Sequence, residues 1–452
     1  MTTLYCARWV LPIVSSPITD GAVAVDNTRI IGVGERAALV ARFPAARLCD
    51  FGEAAILPGF VNCHSHLELT VMRGFLEQEE NNFFAWLRKL TVARLERMTP
   101  DDLYVSAAWG AVEAARSGVT CIGDASSMGA TSLAALCDVG LRGTVYQEVF
   151  GPDARQAHEQ SQKLRGKLAK LRENETPLVR VGVSPHAPYT VSAQLLELTT
   201  EYALAERLPL MMHAAESIAE SSFMREGTGV FAEGLRQRGI EWRAPGVSTI
   251  QYLAELGVLE RARPLLAHCI TVDDQDIETI KAAGASIAHC PKSNAKLGHG
   301  QAPFASFLKR DLTVGLGSDS VASNNTCDML EEARFAALLA RIGKDRISVP
   351  HMASADEILF AATAGGARAL GVDETGFLEE GAQADLTVVA LNNPHQLPIY
   401  DPAAAIVFAS SGRDVILTVV AGREVYREGR VATIDETRLR ARIKEIGVKL
   451  RF

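Results

Sequence analysis

The sequence predicts an α/β protein: a (β/α)8 TIM-type barrel with a small β-sandwich domain assembled from both termini. Two observations predict it. The middle of the chain alternates short, near-continuous apolar runs with amphipathic helical patterns, which is how a parallel sheet covered by helices reads. The two ends instead carry short alternating strands cut by Gly, Asn and Asp, the texture of a small antiparallel unit.

The apolar runs of the middle lie near 56–64, 119–124, 143–149, 179–184, 208–213, 264–268, 285–289 and 313–319. Helical patterns follow most of them, clearest at Trp86–Ser117, Asp153–Glu173, Val191–Glu206 and Asp274–Ala283. Eight such units over about 300 residues fit a closed barrel better than an open sheet. At the ends, Gly21-Ala-Val-Ala-Val-Asp resembles in texture Ala384-Asp-Leu-Thr-Val-Val-Ala and Val415-Ile-Leu-Thr-Val-Val-Ala. The expected division is therefore residues 1–57 and 376–452 for the sandwich and terminal helix, and 58–375 for the barrel.

Composition narrows the function classes. The 452 residues are 48% hydrophobic and 22% charged, as in an ordinary globular protein. A formal net charge of −8 argues against a nucleic-acid binder. The basic stretch from Arg438 to Arg451 reads as the solvated face of a last helix. No run approaches the ~18 apolar residues of a membrane span, and the start does not read as a signal peptide. The eight cysteines are scattered without a C-x-x-C pair and read as reduced core residues. The expectation is a cytoplasmic protein whose partner is a small-molecule substrate, with no nucleic acid and no membrane. A homo-oligomer stays open.

In a barrel of this kind, functional side chains sit where strands end. His64-Ser65-His66 ends the first run, and strand geometry puts residues i and i+2 on one face. His213 ends the fifth run and Asp319 the eighth, where Gly315 and Gly317 share the face of Asp319 and are expected to clear space. Each has an ordinary alternative, a satisfied core histidine or a helix N-cap. Together, three His and one Asp at three strand ends make a donor set for one divalent cation, zinc or ferrous iron, with room left for water. Such a cation lowers the pKa of water from about 16 toward about 7. The chemistry then needs a proton carrier. Glu216, three residues past His213, is placed for it, and His268, at the end of Pro264-Leu-Leu-Ala-His, can orient water or stabilise negative charge. Asp319 counts as both ligand and catalytic carboxylate. His186, in Ser184-Pro-His-Ala-Pro-Tyr-Thr, reads as a substrate contact, and His289 is left out of the site. Asn82-Phe-Phe-Ala-Trp-Leu reads as a helix start whose aromatics either cover the pocket or, for most of them, pack in the core.

These residues resemble the pattern of the amidohydrolase superfamily, in its deaminase and chlorohydrolase branch, over essentially the whole chain. The likeness rests on Pro58-Gly-Phe-Val-Asn-Cys-His-Ser-His, His213-Ala-Ala-Glu, His268, Gly317-Ser-Asp-Ser and Gly381-Ala-Gln-Ala-Asp-Leu. It implies one metal, most simply zinc, on His64, His66, His213 and Asp319, with Glu216 as proton shuttle and His268 over the water. Binuclear members carry a lysine at the end of the fourth strand. Here Ser184-Pro-His186 stands there, which supports a single metal.

Ser184-Pro-His-Ala-Pro-Tyr-Thr, His289-Cys-Pro-Lys-Ser-Asn and Ala322-Ser-Asn-Asn-Thr-Cys-Asp-Met look like methylthioadenosine/S-adenosylhomocysteine deaminases. His66-Leu-Glu-Leu-Thr and Trp86-Leu-Arg-Lys-Leu resemble aminodeoxyfutalosine deaminases. The implied reaction replaces the 6-amino group of a 5′-modified adenine nucleoside with oxygen. In that reading Glu216 and His186 contact the base and Arg94 or Arg73 an anionic 5′ group, while the Glu77-Gln-Glu-Glu loop faces sugar or solvent. The alternatives are hydrolysis of an s-triazine or another heterocycle, and a non-catalytic barrel used in assembly.

Overall fold

A computed structural model describes residues 2–342, 352–372 and 374–451. The N-terminal segment forms β1 (Thr3–Val10), β2 (Ile18–Asp26), β3 (Arg29–Glu35), β4 (Arg47–Asp50) and β5 (Ala54–Pro58). The middle contributes β6 (Phe60–Ser65), β7 (Val119–Ser126), β8 (Arg142–Val149), β9 (Val179–Pro185), β10 (Met211–Ala214), β11 (Leu265–His268), β12 (Ser286–His289) and β13 (Val314–Leu316). The C-terminal segment adds β14 (Leu386–Ala390), β15 (Val415–Val420), β16 (Arg423–Arg427) and β17 (Arg430–Val431).

The middle strands form two parallel four-stranded sheets, β6-β7-β8-β9 and β10-β11-β12-β13. Isolated parallel bridges pair Val183 with Leu210 and Ser65 with Asp319. Every residue of β7 and β8 is buried, as expected where helices cover one face and neighbouring strands the other. Each of the eight apolar runs read from the sequence overlaps one of these strands, and the last of them continues through 317–319 into the loop after β13.

Two local expectations change. The run 56–64 divides between two sheets. Its first half, β5, pairs antiparallel with β14, and the chain turns at Gly59 before β6. A Cβ at Gly59 would lie 2.0 Å from Thr120 Cγ2, so only glycine fits. The single helical pattern from Trp86 to Ser117 is two helices, Phe83–Arg97 and Pro100–Arg116. Pro100 cannot donate its nitrogen and holds Thr99 extended (φ −85°, ψ 165°). Thr99 then caps the second helix in a reciprocal box with Asp102.

Strands of both termini share one nine-stranded sheet, ordered β17-β16-β15-β14-β5-β1-β2-β3 with β4 paired to β1. Both of its faces are apolar. Tyr5, Ala7, Val23, Ile56 and Val388 belong to one cluster, and Leu4, Cys6, Ala22 and Ala24 pack with Leu39 in another. The last helix, Glu436–Arg451, buries Leu439, Ile446 and Leu450. Its basic face is not simply solvated. Lys449 Nζ reaches Asp102 Oδ2 at 2.7 Å and Arg442 Nη2 reaches Asp101 Oδ2 at 2.8 Å, at the N-terminus of the Pro100–Arg116 helix. All eight cysteines are free. No helix among the described residues is long and apolar enough to cross a membrane.

A buried ion pair ties the nine-stranded sheet to β8. Arg142 Nε donates to Asp385 Oδ2 at 2.7 Å and Arg142 Nη2 to Oδ1 at 3.2 Å. Asp385 also accepts from Thr375 Oγ1 and the Ala421 amide. Asp385→Ala strands the buried guanidinium and should lower stability by about 3–5 kcal/mol. Glu380→Ala removes an exposed partner of Arg42 and should leave stability near that of the parent. Denaturant unfolding of the two variants checks this. Equal effects would deny the buried pair its structural role.

Candidate active site

The ends of β6, β10 and β13 converge on one point. Ligand-capable atoms of His64, His66, His213 and Asp319 all lie within 4.8 Å of one another. His64 Nε2 is 3.4 Å and His66 Nε2 3.5 Å from Asp319 Oδ1, and His66 Nε2 is 3.3 Å from His213 Nε2. Four lone-pair donors face each other here, and His64 Nε2 is buried with no hydrogen-bond partner. That crowding is unfavourable without a cation and fits one well.

Surrounding groups orient each donor. His213 Nδ1 lies 2.9 Å from the His186 carbonyl oxygen and donates to it, which turns the Nε2 lone pair inward. Asp319 Oδ2 accepts from Ser293 Oγ at 2.5 Å and Ser323 Oγ at 2.8 Å, leaving Oδ1 for the cluster. Burial lowers the pKa of His64, brings His66 down to about 4, and holds His213 well below the usual range. The imidazoles are therefore neutral, the ligand form. Burial alone would raise Asp319, but the neighbouring His64, His268 and His66 hold its carboxyl well below the usual range.

The glycines of the eighth run act differently from expectation. A Cβ at Gly317 would lie 3.0 Å from both the amide nitrogen and the Cβ of His64, and one at Gly315 would lie 2.2 Å from Cys63 Sγ. They bring β13 against β6, and so Asp319 against His64, and do not clear open space.

Glu216 stands beside this cluster. Its Oε2 accepts from the Tyr189 hydroxyl at 3.2 Å, and its Oε1 is 3.7 Å from both His268 Nε2 and His299 Nε2. The loop that carries it is clamped from below. Buried Glu220 accepts from the Ala215 and Glu216 amides, each at 2.8 Å, and from Thr249 Oγ1 at 2.7 Å. His268 Nδ1 donates to Asn294 Oδ1 at 2.8 Å, so Nε2 faces the site, buried and without a hydrogen bond. Burial opposes the charged form of His268, but the Glu216 and Asp319 carboxylates outweigh it and raise its pKa.

The pocket over these groups is lined by Phe83, Trp86, Leu90, Arg94, Glu148 and His186, among others. The Phe83 and Trp86 rings of the Asn82-capped helix thus face the pocket. Phe83 meets His299 edge-on, with centroids 4.5 Å apart. His186 lines the pocket, with Nδ1 2.8 Å from Thr190 Oγ1 and its ring 4.7 Å from that of Phe150. Arg94 lines it too, 3.5 Å from Glu68. Arg73 does not. It pairs with Glu113 beside a separate cavity. Glu77 and Glu80 pair with Lys296 and do not line the pocket. Among the lining or contacting groups missed from the sequence are Glu148, His299 and the hydroxyl of Tyr189. Glu148 ends a buried strand and could have been found by asking which strand ends carry an acid. His299 sits in a loop with no periodic signal.

The chain's similarities to known proteins agree with this geometry. A model of the amidohydrolase family matches residues 55–425, and an imidazolonepropionase-like composite domain of bacteria matches residues 21–46. The 5-methylthioadenosine/S-adenosylhomocysteine deaminase of Nitratidesulfovibrio vulgaris (strain DSM 19637 / Miyazaki F) is 34% identical over 435 residues, 95% of this chain and 92% of its own. An adenosine deaminase from Xanthomonas campestris, solved with bound zinc, superposes with a TM-score of 0.82 at 26% identity, covering 99% of this chain and 98% of its own. The zinc complex of atrazine chlorohydrolase from Arthrobacter aurescens TC1 has a TM-score of 0.84 at 22% identity, covering 98% and 100%. At that identity the likeness concerns fold alone.

His289 lies outside the pocket lining, stacked on Phe304 at 4.7 Å, and burial holds its pKa down to about 3. The unfolded chain therefore binds a proton below about pH 6.5 that the folded chain refuses. The stability this group contributes is full above about pH 6.5 and is lost as pH falls toward about 3. His289→Leu should narrow the gap in melting temperature between about pH 8 and about pH 5. An unchanged gap would show that this burial does not govern acid sensitivity.

Proposed function

Since the chain belongs to the amidohydrolase family, we propose that it is a hydrolytic deaminase releasing ammonia from the 6-amino group of a 5′-modified adenine nucleoside. The observation that carries this is the placement of Glu216 against a buried cluster of three neutral imidazoles and one carboxylate. The 34% identity to a methylthioadenosine/S-adenosylhomocysteine deaminase over 95% of the chain supports the substrate class.

In this reading His64, His66, His213 and Asp319 hold one divalent cation, most simply zinc. When bound, that cation supplies Lewis acidity and water of lowered pKa. The remaining steps belong to the chain. Glu216 takes the proton of the attacking water, gives it to the ring nitrogen beside the amine, and then helps deliver a proton to departing ammonia. Tyr189 fixes the second oxygen of Glu216. His268, oriented by Asn294, directs Nε2 at the charge that develops at the attacked carbon. His186 contacts another edge of the base. Phe83 and Trp86 wall the ring from solvent. Water enters, the C–N bond breaks, and ammonia and the oxo product leave. We further propose that the two parallel sheets close into one eight-stranded barrel, residues 58–375, because the Val183–Leu210 and Ser65–Asp319 bridges lie at both seams.

Ammonia release from methylthioadenosine, S-adenosylhomocysteine and adenosine, with chloride release from atrazine alongside, tests the reaction. Chloride without ammonia would overturn it. The active preparation should hold about one metal per chain, and Asp319→Asn should lose both metal and activity. A fully active enzyme with close to two metals would overturn the single site. Glu216→Gln should keep its metal and lose about 10²–10⁴-fold in kcat. Parental activity in that variant would remove Glu216 from the proton path.

A further inference from the structure

Of the acids that line the pocket at the cluster, Glu216 and Asp319 have roles and Glu148 has none. Alternation along β8 fixes where Glu148 points. The preceding Gln147 turns outward, donating Nε2 to the Ser127 carbonyl at 2.9 Å and accepting from the Gly129 amide at 3.2 Å. Glu148 faces the pocket, buried, and its Oε1 has no hydrogen-bond partner. The neighbouring cation Arg94 pairs with Glu68 instead. A carboxylate taken out of water without a partner is costly, so its placement calls for a physical reason.

His186 stands beside it with a lone pair to offer. The Thr190 hydroxyl donates to the Ala187 carbonyl at 3.0 Å, so toward His186 Nδ1, 2.8 Å away, it accepts. The ring proton is thereby placed on Nδ1, and Nε2 is left as a donor of electrons. Ligand-capable atoms of Glu148, His186 and His213 all lie within 4.8 Å of one another. His213 belongs to this set and to the primary one. Its Nδ1 donates to the His186 carbonyl, so the atom that the two sets share is Nε2. One lone pair serves one cation. With the primary cation in place, the second set keeps one oxygen from Glu148 and one nitrogen from His186, and water fills the remaining positions.

We propose that Glu148 and His186 form a second, weak site for a divalent cation such as zinc, and that its occupancy blocks the pocket. The inference goes beyond the deaminase reading, and its binding half does not depend on it. Imidazole with carboxylate suits zinc, whereas magnesium and calcium prefer oxygen alone. Two protein donors in place of four roughly halve the binding free energy of a full zinc site, which puts dissociation between about 1 µM and 1 mM. The active enzyme therefore keeps one metal, and the second arrives only in excess. Glu148 and His186 line both the pocket at the cluster and a neighbouring cavity of about 720 Å³. A cation held between them stands at the neck joining the two, and it occupies the His186 nitrogen that would otherwise face the base.

Protein carrying one zinc, dialysed against zinc from about 1 µM to 1 mM, tests the site by metal content. The parent should rise from about one to about two zinc per chain. Glu148→Gln and His186→Ala should keep the first zinc, which reports an intact primary cluster, and should fail to gain the second. No second uptake in the parent overturns the site. Equal second uptake in parent and variants assigns the extra zinc to the surface and overturns it too, as does loss of the first zinc in Glu148→Gln. Ammonia release from methylthioadenosine then tests the block, each protein being compared with its own rate at one zinc. The zinc concentration that halves the rate should rise at least about tenfold in Glu148→Gln, and magnesium should not inhibit the parent. A second zinc that binds without slowing the reaction, or equal inhibition by magnesium, overturns the block. No ammonia from any adenine nucleoside overturns the deaminase reading and leaves zinc uptake to decide the site.

Discussion

Burial of Asp319 beside three imidazoles sets the terms for the rest of the site. Desolvation holds His64, His66 and His213 toward the neutral form, while His64 and His268 beside Asp319 keep its carboxyl well below the usual range in spite of its burial. The result is a cluster of facing lone pairs, a donor set that suits a cation. Much of the nearby polar structure serves to hold that set. The His186 carbonyl aims His213, Ser293 and Ser323 occupy the outer oxygen of Asp319, and Glu220 pins the loop that brings Glu216 alongside.

The backbone bears part of the load. Ala215, His268 and Asp319 all adopt left-handed conformations, with φ of 53°, 77° and 57°. For residues other than glycine such conformations cost on the order of 1–3 kcal/mol each. They fall at the ends of β10, β11 and β13, where the chain must leave a strand and still present a side chain inward. Packing supplies the compensation. Gly317 lets the segment after β13 approach His64 more closely than most Cβ atoms would allow, so Asp319 is located partly by this contact.

What could be read from the sequence was whatever repeats or terminates a repeat. His64, His66, His213, His268 and Asp319 stood out because each ends an apolar run, and i, i+2 spacing placed the first pair on one face. The same logic located the eight parallel strands of the middle segment. It failed where the determinant was a single residue or a distant contact. One proline divided the Trp86–Ser117 pattern into two helices, and one glycine divided the run 56–64 between two sheets. Gly315 and Gly317 were recognised as inward, but what they face is supplied by Cys63 and His64 far earlier in the chain. His299 joins the site from a loop, and no pattern of spacing can announce that. The sharing of one sheet by the two termini was foreshadowed by their common texture. Its strand order was not, because β5 and β14 pair across more than three hundred residues.

The chlorohydrolase likeness shows how little the scaffold decides, since one fold hosts both displacement of chloride and of ammonia. The two leaving groups differ in one physical respect. Chloride departs as a stable anion, whereas an amine must gain a proton before its bond to carbon can break. A site for deamination therefore needs a carboxylate that exchanges protons with both water and substrate, and neighbours that keep it in place as its charge changes. Glu216 has that setting. Tyr189 donates to one oxygen, and the buried nitrogens of His268 and His299 stand 3.7 Å from the other, close enough to respond to its charge. Those nitrogens have no other hydrogen-bond partner, so they can stabilise a negative centre without first giving up a bond. The surroundings of this carboxylate, more than the shape of the scaffold, suit it to exchange protons as an amine leaves.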